Sequence, residues 1–314
     1  MRSWIAILIW TGAMSAESAE FPKELVQFKA YPANPVFAGA GEGHWDAKIR
    51  ERGWVLREDD QWHLWYTGYE GEGVRRLGYA TSPDGLNWTR WPANPLVEDA
   101  WIEDMMVVKA GGTYHMFAEG EGDQIHRWTS TDRVQWVDTG VLDIRRVNGE
   151  PIPPGPFGTP VALHEDGVWW LLYEREDAAV WLAKSTDLKL WTHVQDDPVL
   201  APGPEKYDAG MIALNQVIKH EGRYYGYFHG LVEGSKPEVW TSNVAVSDDL
   251  LHWEKYASNP LRSNDESSPQ LVWDGIGWRL YIMHPEVRVY LGEGRKQEET
   301  RKHGLRSKKR QEPG

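Results

Sequence analysis

The sequence predicts an all-β chain folded as a five-bladed β-propeller. Three observations carry this. An aromatic-rich strand pattern recurs five times, starting at Trp62, Tyr114, Trp169, Tyr224 and Trp278, which by subtraction are 52, 55, 55 and 54 residues apart. After four of these returns comes the same turn, Ser-x-Asp-x-x-x-Trp, at Ser82/Asp84/Trp88, Ser130/Asp132/Trp136, Ser185/Asp187/Trp191 and Ser247/Asp249/Trp253. A second repeat marks the unit boundaries: Tyr31-Pro-Ala-Asn-Pro, Trp91-Pro-Ala-Asn-Pro, Asp197-Pro and Ser258-Asn-Pro. A fixed period of about fifty residues in a strand-only pattern signals radial repetition, and each unit has room for about four short strands, the size of one propeller blade.

Read from its start, the chain opens with one positive charge, a short apolar run from Trp4 to Trp10 and small residues before Glu20. That is the pattern of a secretory signal peptide over residues 1–20, too short to span a bilayer comfortably. The expectation is a secreted or periplasmic protein, the mature chain starting near Glu20 or Phe21. Next, Leu25 to Tyr31-Pro matches Leu86 to Trp91-Pro, so residues 23–30 read as the outer strand of a blade with no beginning. The fifth blade, conversely, stops after Val287 to Leu291 with no Ser-x-Asp turn and no outer strand. Each fragment lacks what the other supplies, so residues 23–30 are expected to pair with 287–291 and close the ring, which removes exposed sheet edges. The propeller domain is therefore drawn at 21–292.

Residues 293–314 form a basic tail, expected to be disordered. Within 295–310, eight Lys and Arg stand against two Glu, a net of +6 that leaves −19 for the rest of a chain whose total is −13. So acidic a body repels phosphate backbones and argues against nucleic acid as a partner. With no Cys, disulfides, thiolate metal sites and Cys nucleophiles are excluded. Most of the nineteen Trp are expected to pack between blades.

The Asp of each Ser-x-Asp turn is expected to be structural, a short acceptor that fixes its own turn. Chemistry is expected elsewhere. Inner and return strands are antiparallel, so residues before the one and after the other share an axial face. Before the inner strands stand Asp46, Glu103/Asp104, Asp208 and Asp265/Glu266; after the return strands stand Glu119, Glu174/Arg175, His229 and His284. Asp46 lies 19 residues before Trp65 and Asp208 lies 19 before Tyr227, equivalent places in blades one and four, while blade three has Gly158-Thr-Pro and no acid there. Several acids around one pocket suit glycoside hydrolysis, in which one carboxylate activates water or attacks and another protonates the leaving oxygen. Asp46, Asp104, Asp208 and Glu266 are the expected catalytic acids. Trp45, Glu119, Glu174, Arg175, His229 and His284 are the expected sugar contacts. No His spacing supports a metal site; no cofactor is required, and the rim acids would also suit a structural calcium in the central channel.

Trp45-Asp46, Gly78-Tyr-Ala-Thr-Ser-Pro-Asp-Gly-Leu-Asn-Trp88 and Ile102-Glu-Asp104-Met-Met-Val-Val with Tyr114-His-Met-Phe resemble the five-bladed propeller glycosidases. These are glycoside hydrolase families 43, 32/68 and 117, and the resemblance covers about residues 25–292. It implies a base or nucleophile at Asp46 and a second Asp at Asp104 or Asp208. It also implies a Glu as proton donor. Where the invertase-like pattern places that Glu this chain has Gly158, which leaves Glu266 as the expected substitute and Glu174 as the next. The substrate expected is an oligo- or polysaccharide. A non-catalytic sugar-binding propeller and a protein-interaction propeller are the two alternatives.

Overall fold

The computed structural model describes residues 20–293 apart from Glu51, Glu72, Pro154 and Asp177. The signal peptide (1–20) and the basic tail (293–314) thus fall almost wholly outside the described residues. The described residues form five sheets arranged as the five blades of a propeller. Blade one joins Lys48–Ile49 and Trp54–Glu58 to Gln61–Tyr69, followed by Arg76–Ser82 and Thr89–Arg90. Blade two runs Ile102–Ala110, Thr113–Gly120, Gln124–Ser130 and Val137–Val141. Phe157–Glu165, Val168–Arg175, Ala179–Ser185 and Leu190–His193 make blade three, with Asp143–Arg145 added in parallel at its outer edge. Blade four comprises Met211–His220, Arg223–Leu231, Trp240–Ser247 and Trp253–Lys255. Ser267–Trp273, Trp278–His284 and Arg288–Gly292 begin blade five.

The fourth strand of blade five comes from the other end of the chain. Phe28–Ala30 supplies it and pairs antiparallel with Arg288–Gly292, Phe28 opposite Gly292 and Ala30 opposite Tyr290. A side-chain device repeats at this joint. Asn34 pairs through its amide with both backbone groups of Val289, as Asn94 does with Tyr79 and Asn259 with Val244. The segment before Phe37 therefore belongs to blade five as residues 89–97 belong to blade one. One detail differs from expectation: Lys23–Val26 is a single helical turn, so pairing starts only at Phe28. That turn buries Leu25 and, with Phe21, packs on Tyr225, Tyr227 and Leu280 in the seam between blades four and five.

Inter-blade packing explains the aromatic period. Trp65, Phe117, Leu172, Tyr227 and Tyr281, the same position of each return strand, are all completely buried. In all four Ser-x-Asp turns the Ser oxygen accepts from the N–H groups two and three residues on, and the Asp Oδ1 does the same in its turn. These acids are spent on their own backbone. Among the described residues no helix is long and apolar enough to cross a membrane.

Candidate active site

One feature of the inner strands builds the site. Two residues before the partner of the buried return-strand residue, four of the five blades place a non-glycine residue in the left-handed region: Arg52 (φ 54°), Asp104 (50°), Thr159 (47°) and Ser268 (59°). In blades two and three the register shifts at this point. Such a conformation costs on the order of 1–3 kcal/mol per residue, and it re-aims the side chains around it.

Above these kinks lies a cavity of about 450 Å³ at one axial end, lined by side chains of all five blades. Blades two and three supply Glu103, Asp104, Glu119, Asp123 and Glu174; blades four and five supply Met211, His229, Trp240, Ser267 and His284; blade one supplies Arg50. The cavity is thus acidic on one side and aromatic or imidazole on the other. Glu103 is buried and bridged by Arg50 (3.1 Å) and Arg75 (2.7 Å). Its charge is therefore matched. His229 meets Asn215 through Nδ1 at 3.1 Å and packs edge-on against Trp240, with ring centroids 5.2 Å apart. His284 Nε2 lies 3.3 Å from Asp265.

Glu119 and Glu174 are brought together by a glycine. A methyl on Gly158 would sit 2.5 Å from Glu119 Oε2 and 3.1 Å from Glu174 Oε2, so those oxygens are no further apart than the two distances laid end to end. Asp104 completes the group, taking a 3.4 Å hydrogen bond from the Thr159 hydroxyl. Burial first, and then the negative charges of Asp104, Glu103, Glu174 and Asp123, push the Glu119 carboxyl up to about 9. Burial and charge thus favour the protonated form of Glu119 within this cluster. Gly158, which leaves blade three without an acid in the sequence, is what makes room for two acids from neighbouring strands.

Five of the ten expected site residues line the cavity: Asp104, Glu119, Glu174, His229 and His284. The other five do not, and each is held by something else. Asp46 is buried, accepting from Tyr66 Oη (2.9 Å) and paired with Arg90 Nε (2.7 Å). Asp208 is fully buried and paired with Lys255. Arg90 and Lys255 are on the outer strands of their blades, and Gly68 and Gly230 press on the two Asp in the same way. The equal 19-residue spacing therefore marks a within-blade ion pair aimed away from the axis. Glu266 turns into its own blade, where Tyr290 Oη donates to it at 2.6 Å, so it does not face Asp46 and Asp208 across the axis. Arg175, next to Glu174 on a strand, points to the opposite face and lies over Phe157 and Trp181. Trp45 stacks on Tyr66. Among the described residues no three His, Asp or Glu are grouped to hold a metal ion. Arg50, Asp123 and Trp240 escaped the sequence reading; only the count back from the buried return-strand position would have drawn attention to the first blade's arginines.

No family profile matches the chain. A curated relative is a 1,2-β-oligomannan phosphorylase of Thermoanaerobacter sp. strain X514, 25% identical over 225 residues, covering 65% of this chain and 72% of that one. A candidate glycosidase of Bacteroides thetaiotaomicron VPI-5482 superposes with a TM-score of 0.71 at 18% identity, over 88% of this chain and all of the other. A structure from the GH130 family of mannoside phosphorylases, which contains glycoside hydrolases that target β-1,2-mannosidic linkages in Candida mannan, gives 0.66 at 16% identity, over 86% and 94%. In fold, then, this chain is similar to both of these structures.

Proposed function

We propose that the chain is a carbohydrate-active enzyme that hydrolyses a glycosidic bond of an oligo- or polysaccharide in the axial cavity. The observation that carries the reading is the carboxyl cluster itself, Glu119 and Glu174 brought together at Gly158 beside Asp104, where burial and charge favour a proton on Glu119. Cleavage needs that division of labour. The Glu119 O–H gives its proton to the glycosidic oxygen as the bond from that oxygen to the anomeric carbon breaks. Water loses a proton to the Asp104 carboxylate and forms the new bond to the anomeric carbon. Glu174 and the two imidazoles are placed to bind sugar hydroxyls, and Trp240 offers a ring face. No cofactor enters this chemistry. The apolar N-terminal run supports export, which would present the enzyme with extracellular saccharide.

A second reading, phosphorolysis, is favoured by the names of two relatives, the oligomannan phosphorylase and a β-1,2-mannobiose phosphorylase. Against it stands the lining, in which Glu103, Asp104, Asp123 and Glu174 accompany Glu119 and the lining arginine, Arg50, pairs with Glu103. A phosphate dianion would enter against that charge. Incubating the protein with mannosides, arabinosides and fructosides, with and without inorganic phosphate, separates the two. Free reducing sugar independent of phosphate is expected; a phosphate-dependent sugar 1-phosphate would replace hydrolysis by phosphorolysis. In Glu119→Gln, cleavage of the natural glycoside should fall steeply while an aryl glycoside with a good leaving group is spared.

A further inference from the structure

Beneath the cavity floor lies a residue the proposed chemistry does not touch. Arg52 belongs to blade one, yet its Nη2 donates to the backbone carbonyls of Pro160 in blade three and Asn215 in blade four, the latter at 3.2 Å. Blade one borders blades two and five, so this side chain crosses the propeller axis. It is 2% exposed and does not line the cavity. Its Nε and Nη1 find no acceptor among the described residues. Burying a guanidinium in this way is costly, and burial pulls its pKa down to about 10 against the opposing influence of Asp104 and Glu119. A cation kept in so costly a place, at a strained φ of 54°, acts on whatever lies above it.

We infer that Arg52 is the positioning residue of the carboxylate cavity: a charge fixed on the axis that offsets the crowding of Asp104 and Glu119 and holds the floor beneath them in place. The inference rests on the proposed division of roles and says what maintains it. Without a cation below them, Asp104, Glu103, Glu119, Asp123 and Glu174 would crowd five acids around one space. Arg50 and Arg75 are already bound to Glu103, and His229 and His284 stand on the far wall. The Pro160 carbonyl that Arg52 grips directly follows Thr159, whose hydroxyl donates to Asp104, so the guanidinium is fixed to the floor of the acid cluster, where Asp104 and Glu119 favour its charged form. Its two backbone anchors, in blades three and four, fix its distance from the acids of blade two, which a flexible surface cation could not do.

The test compares Asp104→Asn with Arg52→Met/Asp104→Asn, the double change removing one buried cation and one anion together so that the fold is not left with an unmatched charge. The readout is the titration midpoint of Glu119, followed by the NMR shift of its carboxyl carbon, and it needs no turnover. The double variant should titrate higher than Asp104→Asn by about one pH unit or more, because a cation beside Glu119 has gone. Equal midpoints would overturn the inference even if the enzyme cleaves glycosides. If the midpoints differ but no glycoside is cleaved, the proposed function fails alone. Arg52→Lys, which keeps the charge but not the two-carbonyl grip, should leave the acid limb of kcat/KM in place and lower kcat. An acid limb that moves up in pH with Lys would also count against a role for the charge.

Discussion

The proton on Glu119 makes a prediction about stability that does not depend on knowing the substrate. Unfolded, this carboxyl titrates near its ordinary value of 4.5; folded, it titrates at about 9. Below the lower value both states hold the proton and nothing is lost. Between the two, the unfolded chain has released a proton that the folded chain keeps. The unfolded state then binds fewer protons, and stability falls as pH rises, by about 1.4 kcal/mol per unit. Above the upper value the loss is complete. From about pH 5 to about pH 7 the ceiling is therefore about 2.7 kcal/mol. Coupling of Glu119 to its charged surroundings spreads the titration, which brings the expectation to the order of 1–3 kcal/mol. Glu119→Gln has no proton to lose at this position. Urea unfolding of both proteins at the two pH values gives a difference in which other titrations largely cancel. The Gln variant should gain on the wild type by that amount as pH rises. A pH-independent difference, or a wild type that gains instead, would show that Glu119 is ionised and that the acid of the mechanism lies elsewhere.

Other perturbations test the scaffold and the corrected site assignments. Gly158→Ala drives a methyl against the carboxyl groups of Glu119 and Glu174, so it should cost about 1–3 kcal/mol and abolish turnover, read by unfolding and by glycoside assay on the same sample. Asp46→Asn leaves Arg90 without its charged partner and should lower the melting temperature while turnover per folded molecule stays near wild type; loss of turnover at full stability would return Asp46 to the chemistry. Asp84→Ala removes the acceptor of the Leu86 and Asn87 N–H groups, an expected loss of about 1–2 kcal/mol in chemical denaturation with kcat unchanged. Leu25→Ala, in the turn that seals blade four to blade five, should cost about 2–5 kcal/mol in the same experiment, and a negligible effect would mean that the N-terminal turn does not hold the ring closed.

The features legible in the sequence are those set by local spacing. The aromatic period counts blades because each return strand must bury the same position against its neighbour. The Ser-x-Asp turns announce themselves because Ser and Asp bond within the turn, to groups two or three residues away. Ring closure could be read from two incomplete fragments, since a sheet edge left open is costly. It was also legible that acids gather at one axial end, because strand direction alone places the ends.

Which of those acids face the axis was decided by the tertiary structure. Along a strand, side chains alternate between faces, and a single inserted residue reverses the alternation beyond it. That is why Glu174 enters the cavity and Arg175 does not, and why Asp104 lies there while Glu266 bonds Tyr290 within its blade. Asp46 and Asp208 look unusual in sequence because they are equivalent and charged, yet their partners, Arg90 and Lys255, are 44 and 47 residues away. Arg52 shows the limit most plainly. Nothing local marks it, because its meaning comes from carbonyls 108 and 163 residues further on, which only a closed ring brings to the axis.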